Sequence, residues 1–355
     1  MRLTVVPGRL LDGPILAAWE RILHERPDLA SPYFRPEFTM AVASVRRDVF
    51  AVVAREGEDV VGIFPYQRRA LGYGQPVAGP LSDYHEVIAG REFACDPVAL
   101  LRAGGLIGWD FDHLLRGGVF EPYVVTPRRS PVIDLSAGWD AYRRAQHATT
   151  DQLDDIARQA RRLDREAGPL SVRLATSDAT VLDRLIAWKS AQYDRTGFEN
   201  VFRPAWTRAL LERLLALDTP SFAGTLSALY AGDHLVAAHM GMRSRTIWHY
   251  WFPAYDPRFA RYSPGLILLA AMLEAAPAAG LRRVDLGKGE ALYKRRLMNA
   301  EVPIAEGRIE RPSVTTRLRR LRRDAEDRVS RGPLATLLRR PGRLVKRLER
   351  RLRFA

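Results

Sequence analysis

Asp285-Leu-Gly287-Lys288-Gly289-Glu290-Ala-Leu-Tyr293-Lys294-Arg295-Arg296 is the most informative stretch of the 355-residue chain. Arg283-Val-Asp-Leu286 reads as a short returning strand, and the glycines after it mark a tight turn. A phosphate loop is the other reading of Gly287-Lys-Gly289, but the rest of a Rossmann or Walker fingerprint is missing. Upstream, Ser263-Pro264-Gly265 opens an apolar segment, with Ser263 suited to cap a helix and Pro264 to its first turn. Leu266, Ile267, Leu268, Leu269, Met272 and Leu273 point nearly all round that helix, which predicts burial on most sides before Gly280 closes the segment.

Working outward, a weak internal repeat sets the organisation. Val49–Arg55 runs through Glu56-Gly57-Glu58-Asp59 into Val60–Tyr66, and Thr225–Tyr230 runs through Ala231-Gly232-Asp233-His234 into Leu235–Met240. Both pair β-rich runs across a Gly and acidic turn, the pattern of a hairpin. A third strand, Thr246–Phe252, is expected to end at Pro253. Further helices are expected over Ala179–Tyr193 and Pro204–Leu217. Trp139–Ala167 reads as one connector helix stopping at Gly168-Pro169. The expectation is an α/β (α+β) chain of two related halves, 1–138 and 169–311, joined by a helix at 139–168 and followed by a tail at 312–355.

Composition narrows the classes. At 47% apolar residues the chain fills real cores. The net charge of +14 looks like a nucleic-acid signature until it is located. From Arg311 to Ala355 there are 16 Lys or Arg against 4 Asp or Glu, leaving +2 for the preceding 310 residues. Leu318, Leu321, Ala325 and Val329, then Leu337, Leu338, Leu344, Val345, Leu348 and Leu352, predict two basic amphipathic helices in this tail. The single Cys95 fits a reducing compartment. No secretory leader is read in the Pro- and Gly-broken N-terminus, and the longest apolar run, Gly265–Ala276, is too short to span a bilayer. A cytoplasmic protein is expected, peripheral at the inner membrane if the tail binds anionic lipid.

Metal-hydrolase, P-loop and serine-hydrolase motifs are absent, and the spacing of seven histidines forms no ligand cluster, so no metal is expected. What remains is a strand meander, a helix N-terminus at Ser263 whose exposed N–H groups suit a pyrophosphate, and a strand leading into Tyr-Lys-Arg-Arg.

These residues resemble the CelD/BcsL-type acetyltransferases, with a BioF2-like acetyltransferase domain, which are related to the FemAB peptidyltransferases within the GNAT superfamily. Tyr255-Asp256-Pro257-Arg-Phe259-Ala-Arg-Tyr262-Ser263-Pro264-Gly265 is similar to the family's Tyr-Asp-Pro, Tyr-Ser-Pro-Gly segment. Asp285–Glu290 and Tyr293–Arg296 are similar to its Asp-Phe-Gly-x-Gly, Tyr-Lys-x-x-Phe element. Tyr33-Phe34-Arg-Pro36-Glu37-Phe38 and Ser82-Asp83-Tyr84-His85 are further landmarks, so the resemblance covers roughly residues 30 to 300. The chain departs from the family at Leu297, where an aromatic is usual, and at Asp151, Asp154 and Asp155 in an otherwise basic central helix.

The resemblance implies tandem GNAT-like halves, each a mixed, largely antiparallel sheet flanked by helices. It also implies acyl transfer from acetyl-CoA or another acyl-CoA, used as a donor substrate with no cofactor bound permanently. The implied acceptor is an amine or hydroxyl on a small molecule or saccharide, in polysaccharide or cell-envelope synthesis. On that reading Lys294, Asp285, His249 and Tyr293 are the catalytic candidates, with His239 a second histidine that would accept a proton if it faced the cleft. Arg261, Tyr262, Ser263 and Gly265 are candidates for the donor phosphates, and Asp83, Tyr84, His85 and Glu290 for the acceptor. Two rivals stay open: a FemAB-like transferase using aminoacyl-tRNA held by the basic tail, and a non-catalytic membrane-surface or assembly protein.

Overall fold

The computed structural model describes residues 1–289 and 291–312; the expectations for Glu290 and for the tail beyond 312 lie outside the described residues. In chain order the elements are β1 (Arg2–Pro7), α1 (Gly13–Glu25), α2 (Pro36–Val45), β2 (Val49–Glu56), β3 (Asp59–Arg68), β4 (Tyr73–Gln75), β5 (Ile88–Ala89), α3 (Pro97–Ala103), β6 (Gly108–Leu115) and β7 (Val124–Asp134). Then follow α4 (Trp139–His147), α5 (Gln152–Ala167), β8 (Leu170–Arg173), α6 (Ala179–Thr196), α7 (Ala205–Leu215), β9 (Phe222–Ala231), β10 (His234–Ser244), β11 (Ile247–Tyr255), α8 (Pro264–Ala275), β12 (Arg283–Asp285), α9 (Leu292–Leu297) and β13 (Ala300–Glu310). The chain divides into two compact units. Met1–Arg26, Val42–Pro127 and the described residues from Ala305 make the first, and Pro27–Ala41 with Arg128–Ile304 make the second.

In the first unit the strands run β1-β2-β3-β4-β6, with β5 also on β3. The hairpin expected at Gly57 forms: Glu56 pairs with Asp59, and Gly57 takes a φ of +59° that L side chains rarely adopt. Its core is aromatic, with Trp109 5.1 Å from Phe64 and 4.6 Å from Phe120 between ring centroids. Tyr66 is fully buried there, and its hydroxyl donates to the Gly104 carbonyl at 2.9 Å.

In the second unit the order is β7-β12-β11-β10-β9-β8. The repeat of the hairpin holds at Gly232 (φ +55°), where Ala231 pairs with His234. α8 is buried through Ile267, Leu268, Leu269, Met272 and Leu273, so its all-round apolar pattern reflects cover on most sides. It packs with Leu153, Ile156 and Leu163 of α5 and with Val236, Trp248 and Tyr250 of the sheet.

Three expectations are corrected. The single connector helix is two helices, α4 and α5. The Thr149 hydroxyl donates back to the Ala145 and Gln146 carbonyls, and Thr150 Oγ1 accepts from Gln152 N at 3.2 Å, so local side-chain bonds end one helix and start the next. Neither links separate bodies: Tyr142, Leu153, Ile156 and Leu163 belong to the second unit's core. The boundary expected at residue 138 falls within β7 instead, and residues 27–41 join the second unit. β11 also runs past Pro253 to Tyr255; its ladder with β12 ends at His249, so a missing N–H on that side breaks no bond.

Gly224 is the tightest requirement in β9, since an added Cβ would strike the Leu214 carbonyl oxygen and lie 2.8 Å from Leu215 N. Both are backbone atoms that cannot rotate away. Gly224→Ala is therefore expected to cost about 1–3 kcal/mol, read as a lowered denaturant midpoint at unchanged m-value.

Candidate active site

β11 and β12 run parallel over only three pairs, Ile247↔Arg283, Trp248↔Val284 and His249↔Asp285. β12 then stops while β11 continues for six residues, so the main-chain groups from Tyr250 to Tyr255 lose their ladder partner on that side among the described strands. The last pair forms a floor. Both side chains are 0% exposed, with His249 Nδ1 3.8 Å from Asp285 Oδ1. Asp285 Oδ1 also accepts from Gly287 N at 2.9 Å and from the Ser130 hydroxyl at 3.5 Å. The carboxylate thus fixes the start of the turn that Gly287 (φ +69°) and Gly289 (φ +140°) make beyond the strand. Tyr33 sets its ring edge against His249, centroids 4.9 Å apart, which explains one N-terminal landmark as packing on this floor.

Lys294 closes the same loop from α9. Its ammonium donates to the carbonyls of Gly287 at 3.0 Å and Lys288 at 3.2 Å. A second cation stands close by. Lys189 of α6 donates to the Pro253 carbonyl on the unpaired end of β11 at 3.1 Å. Burial, and after it the charge of Lys294, pushes the Lys189 pKa down to about 8. Two ammonium groups held by carbonyl oxygens in a partly desolvated place attract an anion, or charge that develops on a reacting oxygen.

The aromatic wall is neutral. Burial and the neighbouring His249 push His239 down to about 3, so its ring is uncharged. It stacks on Tyr250 at 4.5 Å, and its Nε2 accepts from Trp251 N at 3.3 Å, which uses the lone pair a base would need. The Tyr250 hydroxyl donates to the Gly265 carbonyl in the first turn of α8 at 3.2 Å. Burial pushes the Tyr293 phenol up to about 12, so it stays protonated and able to donate.

Lys294, Asp285, His249 and Tyr293 therefore gather at the parting of β11 and β12. Ser263 and Gly265 stand at the start of α8, where Ser263 occupies the cap position with a φ of +53° but makes no capping bond with its side chain. Arg261 and Tyr262 are engaged elsewhere in the same unit: both contact Glu166 of α5, the arginine at 3.0 Å and the phenol at 2.5 Å. Asp83, Tyr84 and His85 lie in the first unit, with Tyr84 and His85 buried. Lys189 was not among the sequence candidates, yet a signal existed. It follows the buried Leu185 by four residues, placing a cation on the inward stripe of α6.

Residues 150–295 match the family model described as an acetyltransferase (GNAT) domain. No curated protein matches the chain. Among solved structures it is similar to FemX (TM-score 0.54, 10% identity, covering 90% of this chain and 99% of that one). It is also similar to the C-terminal domain of a candidate lysylphosphatidylglycerol synthetase from Agrobacterium fabrum (0.53, 10%, 86% and 95%). A third likeness is to a tandem GNAT protein from the clavulanic acid biosynthesis pathway (0.50, 12%, 88% and 99%). At such identities the likeness is one of fold, and the fold is a mixed α/β sheet flanked by helices in tandem GNAT-like halves. Among the described residues no helix is long and apolar enough to cross a membrane.

The low pKa of Lys189 has a stability consequence whose sign is fixed. Between its folded value near 8 and the ordinary 10.5, the unfolded chain binds a proton that the folded chain has shed, so stability rises with pH across that window. Lys189→Met removes the buried ammonium. The variant is expected to be more stable than the parent at pH 7 by on the order of 2 kcal/mol, a difference that closes by pH 10.5. Urea unfolding of both proteins at pH 7, 8.5 and 10 measures it; a gap independent of pH would contradict the assignment.

Proposed function

We propose that the second unit is an acyltransferase that moves an acetyl or other acyl group from a thioester donor such as acyl-CoA to an amine or hydroxyl. The observation that carries this reading is the parting of β11 from β12 above His249 and Asp285, with Lys189 and Lys294 at its mouth. Beyond His249 the edge of β11 that β12 no longer pairs offers main-chain groups of the kind an extended amide-bearing chain pairs with. The N-terminus of α8, led by the exposed Ser263, supplies N–H groups and the positive end of a dipole for the donor's phosphates. The GNAT match over residues 150–295 supports the same chemistry.

In the step itself, the acceptor nitrogen or oxygen bonds to the thioester carbonyl carbon, the carbonyl oxygen gathers negative charge, and the C–S bond then breaks to release the thiolate. Lys294 neutralises the charged oxygen. Lys189, with a neutral fraction near physiological pH, takes the acceptor's proton. Asp285 and His249 act as positioning residues, because both are fully buried and Asp285 is spent on the turn that presents Lys294. Tyr293 donates from the cleft wall. The acceptor is taken to be a small molecule or a saccharide, with polysaccharide or envelope synthesis as its setting, and the basic tail would bring the enzyme to an anionic membrane surface.

Transfer of labelled acetyl from acetyl-CoA to a panel of amino sugars, sugar hydroxyls and simple amines tests this. Lys294→Ala is expected to lower kcat by roughly 10²-fold at a KM within a few-fold of the parent. The rise of kcat/KM with an inflection near pH 8 is expected to vanish in Lys189→Met. Transfer from aminoacyl-tRNA but from no acyl-CoA would replace this donor with that of the FemAB-like reading.

A further inference from the structure

The spacing of the histidines along the chain predicts no metal site, but folding brings two of them together with an aspartate. The loop around His85 lies against β6: His85 N donates to the His113 carbonyl at 3.1 Å, and Leu115 N donates to the His85 carbonyl at 3.0 Å. This brings a residue of the Ser82–His85 landmark beside two residues 27 and 28 positions further along the chain. Asp112 Oδ1 lies 3.0 Å from His85 Nε2 and 3.0 Å from His113 Nδ1, and the three residues each bring a ligand atom within 4.8 Å of those of the others. Ligand atoms held at about 2.0–2.2 Å from one cation, at tetrahedral or octahedral angles, sit roughly 3–3.5 Å apart. The two close edges of the cluster already have that spacing.

The far side of each ring supplies the partners that a ligand histidine needs. His113 Nε2 faces Asp83 Oδ1 at 3.4 Å, and His85 Nδ1 faces Ser82 Oγ at 3.3 Å. The Ser82 hydroxyl in turn donates to the Tyr84 carbonyl at 3.2 Å. If neutral rings gave their protons to Asp112, His113 would turn a bare lone pair toward the Asp83 carboxylate unless it were an imidazolium donating to both carboxylates, and Ser82 would divide one proton between two acceptors. With a cation on the near nitrogens, each far nitrogen carries its proton and each finds an acceptor. A carboxylate behind one ligand histidine and a hydroxyl behind the other are the partners that fix ring orientation at metal sites. The His85 and His113 side chains are 2% and 9% exposed, while the Asp112 side chain is 39% exposed, which leaves a route in and room for water on the ion.

We infer that His85 Nε2, Asp112 Oδ1 and His113 Nδ1 form a site for a divalent transition cation of the zinc class, oriented by Asp83 and Ser82. Two imidazoles with one carboxylate suit such ions better than magnesium or calcium, which take oxygen ligands. The site is independent of the acyl-transfer reading and belongs to the first unit.

The full chain, purified without a histidine tag and stripped with chelator, is dialysed against Zn2+ or Co2+. About one tightly held cation per chain is expected, with a raised thermal midpoint and visible Co2+ absorption bands. The double variant His85→Ala/His113→Ala should lose that cation, and Asp83→Asn should keep it with affinity weaker by about 10–100-fold. X-ray absorption of the Co2+-loaded parent should show scattering from two imidazoles, a measurement that needs no variant to fold. Clearly substoichiometric uptake by the parent, equal uptake by the double variant, or fewer than two imidazoles at the ion would overturn the site.

Discussion

The second unit turns on a ladder that stops. A strand pair that separates inside a sheet leaves peptide groups without partners, and such groups are tolerated only where something else satisfies them. The structure answers in three ways: Lys189 covers the Pro253 carbonyl, Lys294 covers the carbonyls of Gly287 and Lys288, and Asp285 takes the Gly287 amide. The rest of β11's free edge is left to whatever enters. His249 and Asp285 beneath it, both fully buried, keep the parting at one register rather than letting it unzip toward Ile247.

The arrangement is costly, and the cost points to use. Placing one ammonium where burial and a second ammonium both oppose its charge lowers stability at neutral pH. A sheet needing only closure would be served better by an apolar residue at position 189. Retaining a lysine there keeps an ionisable amine whose proton comes and goes near pH 8, beside the ammonium of Lys294. Those two properties are what an acyl transfer asks of its surroundings: somewhere for the acceptor's proton to go, and a charge for the carbonyl oxygen to lean on.

How much was legible in the sequence follows from the range of the forces involved. Both hairpins announced themselves through Gly57 and Gly232, because a two-residue turn is decided by local backbone angles. α8 was legible for the same reason, its apolar residues and its Pro264 start being local. The break at Thr149 and Thr150 was missed because side-chain bonds to the preceding turn compete with helix only in detail. The domain boundaries were missed because nothing local marks β7 as passing from one unit to the other. Asp285 and Lys294 stand out through a spacing that resembles a family's motif, whereas the pairing of Lys294 with Lys189, 105 positions earlier, exists only once α6 lies along β11.

The same logic explains why Ser82-Asp83-Tyr84-His85 stands out for its likeness to a family segment while its partners on β6 do not. As acceptor contacts, Asp83, Tyr84 and His85 would each need to face an incoming molecule, and of these Tyr84 and His85 are buried. Taken as half of a cation site, each has one part to play: His85 supplies the ring, Ser82 receives its far proton, the Tyr84 carbonyl receives the serine's, and Asp83 receives that of His113. The residues that complete the set, Asp112 and His113, are adjacent on β6 and carry no spacing signal with respect to the loop. Ligand spacing in a sequence detects sites built within one turn or one hairpin. A site assembled by docking a loop on a strand becomes visible only in the fold, where each ring nitrogen can be set against the group that faces it.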